Sequence, residues 1–202
     1  MKILKLMFVA VISSFLMILS SNALEKRIGV AAGYTNVEGT GSETLKDSSK
    51  KASKTVDDST LIPSIFAEIA SDSGFGLGVE YVPGTASIGT GSRADDDAET
   101  TAGNKASAEI DGLTSVYVIK TFDNGMFLKA GMTQTDVITK ETLGTGSTYG
   151  NKSVEGTLIG LGMHKVRDNG TFFRASAEFT DYEEVTLIGS EAGADTASFN
   201  RI

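Results

Sequence analysis

The segment that decides the fold is Ser71-Asp72-Ser73-Gly74-Phe75-Gly76-Leu77-Gly78-Val79-Glu80-Tyr81. After Gly74 the residues alternate strictly: Phe75, Leu77, Val79 and Tyr81 fall on one face, Gly76, Gly78 and Glu80 on the other. Period two means a strand. An apolar face opposed by glycines and a carboxylate suits a strand with lipid on one side and a polar lumen on the other. The four residues before it carry the chemistry of a tight turn, with glycine where positive φ is expected.

Working outward, the same alternation recurs in Lys26 to Asn36, Leu61 to Ala70, Ile110 to Phe122, Met126 to Gln134, Val154 to Val166 and Thr171 to Tyr182. Most of the runs are close to the roughly 9–11 residues that a tilted strand needs to cross a bilayer. Asp123-Asn124-Gly125 and Arg167-Asp168-Asn169-Gly170 are two further tight turns. Between the turns the segments Val37 to Thr60, Gly84 to Glu109 and Thr135 to Ser153 are polar and read as long loops. Short and long connections alternate, which an outer-membrane barrel shows, with turns in the periplasm and loops outside the cell. A secreted β-sandwich would present similar strands, but its loops should not alternate so regularly.

The amino terminus assigns the compartment. Lys2 and Lys5 precede an apolar run of about 14 residues, Leu6 to Leu19, and Ser21-Asn22-Ala23 supplies small residues for cleavage. The run is shorter than the roughly 20 residues of a membrane-spanning helix. Residues 1–23 are therefore expected to be a signal peptide and 24–202 an outer-membrane β-barrel domain. Cleavage would move the net charge from −8 to about −10. A nucleic-acid partner is not expected of so acidic a chain, because phosphates are bound by clustered Lys and Arg. No disulfide framework is available, since the sequence has no cysteine.

The strands Gly76-Leu77-Gly78-Val79-Glu80-Tyr81 and Glu178-Phe179-Thr180-Asp181-Tyr182, with the turns and the signal peptide, resemble the small eight-stranded outer-membrane barrels related to the transmembrane domain of outer-membrane protein A. The resemblance spans nearly all of the mature chain as a pattern. It implies an all-β, antiparallel up-and-down transmembrane barrel whose members include anchors, adhesins and narrow pores. Such barrels close with an eighth strand ending in an aromatic residue, whereas this sequence reaches Asn200-Arg201-Ile202. The expectation is an eight-stranded type with its last strand missing, a fragment short of about ten residues, ten being one strand's length. Direct pairing of the first and seventh strands is the rarer alternative.

Residues of the polar face are the candidate functional residues. Glu68, Glu80, Lys120, Lys129, His164, Arg174 and Glu178 are expected to meet inside the lower barrel as a neutralising charge cluster. Lys120 shares the face of Val116 and Val118; it is assigned inward because a charge at the lipid midplane costs about 2–4 kcal/mol. Phe75, Phe122, Phe127, Phe172 and Phe173 beside the turns, and Tyr34, Tyr81, Phe179 and Tyr182 toward the loops, are expected to form two interfacial girdles. His164 is the only histidine; a hydrogen-bond or charge partner in the lumen is the reading, with no catalytic and no metal site. Asp95-Asp96-Asp97 with Glu99 lacks the spacing of a calcium loop, and Gly144 to Ser147 precedes no helix, so neither is taken as a site.

The functional expectation is a non-enzymatic barrel without a cofactor, with a structural or surface-interaction role. The rivals are a narrow pore for ions or small solutes and a lipid A-modifying enzyme. Expected partners are outer-membrane lipid, lipopolysaccharide and the barrel-assembly and periplasmic chaperone machinery, with the protein itself a monomer.

Overall fold

A computed structural model of the chain describes residues 24–44, 51–93, 104–142, 148–188, 190 and 196–201. The expected signal segment, Asp95-Asp96-Asp97, Glu99 and Gly144 to Ser147 lie outside the described residues. Among the described residues nine strands follow one another: β1 (Leu24–Thr44), β2 (Lys51–Ser71), β3 (Phe75–Arg93), β4 (Asn104–Thr121), β5 (Met126–Thr142), β6 (Lys152–Val166), β7 (Phe172–Tyr182), β8 (Val185–Ile188) and β9 (Thr196–Arg201). They form one antiparallel sheet in the order β7-β6-β5-β4-β3-β2-β1-β9-β8. Every pairing from β1 to β7 joins sequence neighbours, which is the up-and-down arrangement the alternation predicted. The three short turns each place a glycine in the left-handed region: Gly74 at φ 79°, Gly125 at 83° and Gly170 at 80°.

The strands run well past their expected ends, and this corrects the loop assignment. β1 and β2 pair continuously from Leu24↔Ser71 to Thr44↔Lys51, through residues read as loop. β3 with β4 and β4 with β5 extend likewise, to Arg93↔Asn104 and Lys105↔Thr142. Polar side chains do not oppose backbone pairing; they only say that the ribbon stands in water.

In β5 and β6 one parity holds along the strand while its chemistry inverts, whereas in β4 a register shift between Asp111 and Thr114 moves the inward set from Ser115, Tyr117 and Ile119 to Ala108 and Ile110. In β5 the inward residues run Phe127, Lys129, Gly131, Thr133, Thr135, Val137, and the outward ones Met126, Leu128, Ala130, Met132, Gln134, Asp136. In β6, read upward from its turn, His164, Gly162, Gly160, Leu158, Gly156 and Val154 point in, while Met163, Leu161, Ile159, Thr157, Glu155 and Ser153 point out. The half near the turns is apolar outside and polar inside. The far half is polar outside, and Ile88, Ala108, Ile110, Val137, Val154, Val185 and Leu187 pack inside it as a buried apolar cluster.

The outward apolar residues of the near half stay exposed, with Ile28 and Val30 each at 82%. Tyr34, Tyr81, Phe122, Phe173 and Phe179 are exposed at its borders, as girdle residues should be. Phe127, Phe172 and Tyr182 are corrections, because all three turn inward. Their even or odd position on the strand decides this, and proximity to a turn does not.

Closure is uneven. Toward the far end β9 pairs with β1, Thr44↔Thr196 through Thr40↔Arg201, and with β8, Ile188↔Thr196 through Val185↔Phe199. The Glu183 N–H donates to the Glu155 carbonyl at 2.9 Å and the Ser190 N–H to the Thr148 carbonyl at 3.0 Å, tying this ring to β6. Nearer the turns no ladder joins β1 to β7 among the described residues, leaving a seam. Both strands run in the same direction, so they could pair only in parallel, and the expected alternative of direct first-to-seventh pairing does not occur. Thr196–Arg201 instead occupies an eighth position in the cylinder, between β1 and β8.

Candidate functional site

The lumen of the near half is filled by two charged storeys. Glu68 on β2 is the centre of the lower one, with its side chain fully buried. Arg174 on β7 donates to it through both terminal nitrogens at 2.7 Å each, and the Tyr117 hydroxyl donates to Oε1 at 2.8 Å. Arg27 on β1 stands 3.9 Å from Glu68 Oε2 and donates to Glu25 at 2.7 Å. The Arg174 guanidinium lies 4.7 Å from the ring centre of Phe66 and 5.0 Å from that of Phe127, so cation–π contacts hold it on both sides.

Lys129 on β5 organises the upper storey. It donates to Glu80 on β3 at 2.6 Å and to Glu178 on β7 at 2.9 Å. Ser64 donates to the other oxygen of Glu80 at 2.6 Å, and Ser176 to the other oxygen of Glu178 at 3.1 Å. Tyr117 joins the storeys, since its hydroxyl bonds Glu68 below while its ring lies 4.1 Å beneath the Lys129 ammonium. Four carboxylates, Glu25, Glu68, Glu80 and Glu178, and three cations, Arg27, Lys129 and Arg174, are thereby paired across strands β1, β2, β3, β5 and β7, the condition under which charges tolerate burial.

Glycines make room for this filling. An added Cβ would meet Phe66 at Gly29, Tyr117 at Gly78 and Phe127 at Gly162, at 2.4 to 2.5 Å in each case. The Gly-x-Gly pattern therefore marks where rings from neighbouring strands lie flat against the wall, the alternation of small and large that fills a narrow barrel.

Of the seven candidate residues, Glu68, Glu80, Lys129, Arg174 and Glu178 meet in the lumen. Lys120 does not, and is a correction. It sits on the outer face with Val116, its ammonium 2.5 Å from the Ser73 carbonyl and 4.3 Å from the Phe75 ring centre. The midplane cost does not apply, because the long side chain reaches the polar turn beside it. His164 points inward; its ring lies 6.5 Å from Phe127 and 6.3 Å from Phe172, and Nδ1 has no hydrogen-bond partner among the described residues. Sequence reasoning missed Arg27, Phe66 and Tyr117. The alternation of Ile28 and Val30 could have turned Arg27 inward, and the glycines opposite could have located the two rings.

Above the upper storey lies a cavity of about 630 Å³. Its lining includes Glu80, Glu178 and Ser115 at the level of Lys129, Ile62, Val82, Leu113 and Leu158 along the walls, and Tyr182 toward the apolar cluster. It reaches Thr35 to Glu38 on β1 and Phe179 to Tyr182 on β7, the two strands that border the seam.

No protein-family profile and no curated protein matches the sequence. Among solved structures, the attachment invasion locus protein Ail of Yersinia pestis, determined in complex with the heparin analogue sucrose octasulfate, is similar at a TM-score of 0.40 and 8% identity over 87% of this chain and 94% of that one. The fold assignment rests on the strand ladders and not on this likeness.

Proposed function

We propose that the chain spans the bacterial outer membrane as a small β-barrel and serves there as a structural, surface-displaying protein. The observation that carries the reading is the inversion of chemistry along β5 and β6, whose parity is unbroken. An 11-residue strand such as β7 rises about 25 Å at roughly 3.3 Å per residue and ~45° tilt, the height of a lipid-facing band. Beyond it, β1 to β6 continue as polar-faced hairpins that stand in water around their own apolar core. Contact with lipopolysaccharide at the border, delivery by periplasmic chaperones and the barrel-assembly machinery, and a monomeric state belong to the same reading. The two matched storeys occupy the space through which solute would pass, which favours a filled cylinder over a conducting pore. His164 between two phenylalanine rings favours a role without catalysis.

Single cysteines test the placement, since the sequence has none. Ser48→Cys should react with a membrane-impermeant maleimide on intact cells, while Asn124→Cys and Asn169→Cys should react only after the outer membrane is opened. Labelling of Asn124→Cys or Asn169→Cys on intact cells overturns the orientation, and equal labelling of Ile28→Cys overturns the membrane location. Planar bilayers should show no steady single-channel current from the refolded protein.

A further inference from the structure

The outer face of strands β5 to β7 carries opposite charge at its two ends. Toward the far half its outward residues include Asp136, Glu155 and Asp181, whereas at the turn border stand Lys165 and, where β6 enters the turn, Arg167. On the membrane reading, which this inference rests on, the acidic end lies at the outer leaflet and the basic end at the periplasmic one.

Lys165 and Arg167 converge on one ring. Phe173 is the register partner of Lys165 across the β6–β7 ladder, and the Arg167 guanidinium lies 4.6 Å from the centre of the same ring. Phe173 is 59% exposed, so ring and cations share the outer surface. The turn fixes the Arg167 backbone, whose N–H donates to the Thr171 carbonyl at 2.7 Å and whose carbonyl accepts from the Gly170 N–H at 2.9 Å. The Asn169 side-chain oxygen is engaged by the N–H and hydroxyl of Thr171. Lys120, at the same border, gives its ammonium to the Ser73 carbonyl. By contrast, the side chains of Lys165 and Arg167 meet neither a carboxylate nor another hydrogen-bond acceptor among the described residues.

Two unengaged cations on an exposed ring at the hydrocarbon border suit a lipid phosphate. A guanidinium donates to two phosphate oxygens at once, and an ammonium adds a point charge. The hydrocarbon attached to that phosphate continues from Phe173 over the Met163–Ala175 and Leu161–Ala177 pairs, where the alanines leave room beside longer side chains. A zwitterionic head group would bring its own cation against Lys165 and Arg167, whereas a head group of net negative charge does not.

We propose that Lys165, Arg167 and Phe173 form a binding site for an anionic phospholipid of the periplasmic leaflet. The two cations hold its phosphate, and an acyl chain lies along the outer face of β6 and β7.

The test uses the refolded protein in phosphatidylcholine nanodiscs that contain a small fraction of brominated phosphatidylglycerol or, in parallel, brominated phosphatidylcholine. A bimane label on Ala175→Cys reads the site, and one on Leu61→Cys, toward the opposite border, reads insertion. Both lipids should quench both labels. At Ala175→Cys the brominated phosphatidylglycerol should be about threefold or more as effective, with no such preference at Leu61→Cys. Lys165→Gln combined with Arg167→Gln should remove the preference while quenching at Leu61→Cys persists; Lys120→Gln should leave it, as should soluble glycerol phosphate. Four results overturn the inference while leaving the membrane reading standing: equal quenching by the two lipids at Ala175→Cys, the same preference at Leu61→Cys, its survival in the double variant, or its loss in Lys120→Gln. Loss to glycerol phosphate overturns it too, by marking a site for free phosphate. Absence of quenching at both labels removes the membrane reading and the inference with it.

Discussion

The Arg174 guanidinium grips the Glu68 carboxylate through two parallel bonds of 2.7 Å, although the residues are 106 positions apart and lie on strands β7 and β2. Curling the sheet is what brings them together, so this pair reports on the cylinder as a whole. Arg174→Ala leaves a fully buried carboxylate without its main partner, and the expected loss is about 3–5 kcal/mol. Adding Glu68→Gln should recover a large part of it, whereas adding Glu178→Gln should not. Urea unfolding in lipid vesicles measures all three; equal recovery by either second substitution would contradict the two-storey arrangement.

Tyr117 separates into two roles that one atom distinguishes. Tyr117→Phe keeps the ring beneath Lys129 and removes the hydroxyl from Glu68, for an expected cost of about 1–3 kcal/mol. Tyr117→Ala removes both and opens a path between the storeys. Bilayer recordings should stay silent for the first variant and show current for the second.

Gly78 and Gly33 should respond oppositely to the same methyl group. A Cβ at Gly78 would stand 2.4 Å from Tyr117 Cζ, whereas one at Gly33 meets nothing within 4 Å. Gly78→Ala is expected to cost about 1–3 kcal/mol by overpacking and Gly33→Ala to stay within about 0.5 kcal/mol. In a Tyr117→Ala background the Gly78 penalty should largely vanish, which unfolding of the double variant checks.

Lys120 should behave as a surface residue. Lys120→Ala is expected to change stability by less than about 1 kcal/mol and to add to Arg174→Ala without coupling. A coupling energy above about 1 kcal/mol would return Lys120 to the lumen network.

The near half of the molecule was legible in the sequence, because alternation between apolar residues and glycine or charge has one physical cause there, an apolar exterior around a narrow polar lumen. Turns Ser71 to Gly74, Asp123 to Gly125 and Arg167 to Gly170 were legible from glycine alone. The far half was not, because residues such as Asp136, Thr139 and Ser153 resemble loop by composition while the inward Val137 and Val154 are too sparse to show a period. Lys120 was misplaced when an energetic argument for the bilayer centre was applied to a residue beside the turn. Tyr117 and Phe66 were hidden for a different reason. An aromatic on a barrel strand can face lipid or lumen, and only its pairing with Gly78 or Gly29 on the next strand decides between them.

The uneven closure has a consequence for how the chain assembles. Ladders from β1 to β7 join segments that a short connection already brings together, so their contact order is low. The β1 to β9 ladder instead brings Thr44 to Thr196, across most of the sequence. Loop-closure entropy opposes that contact more than any other in the sheet. Hairpins therefore form first and the ring is completed last, with its joint also the first to open in the native state. Amide hydrogen exchange in the bilayer should be faster along the β1–β9 ladder at Thr40 to Thr44 than along the β4–β5 ladder around Tyr117.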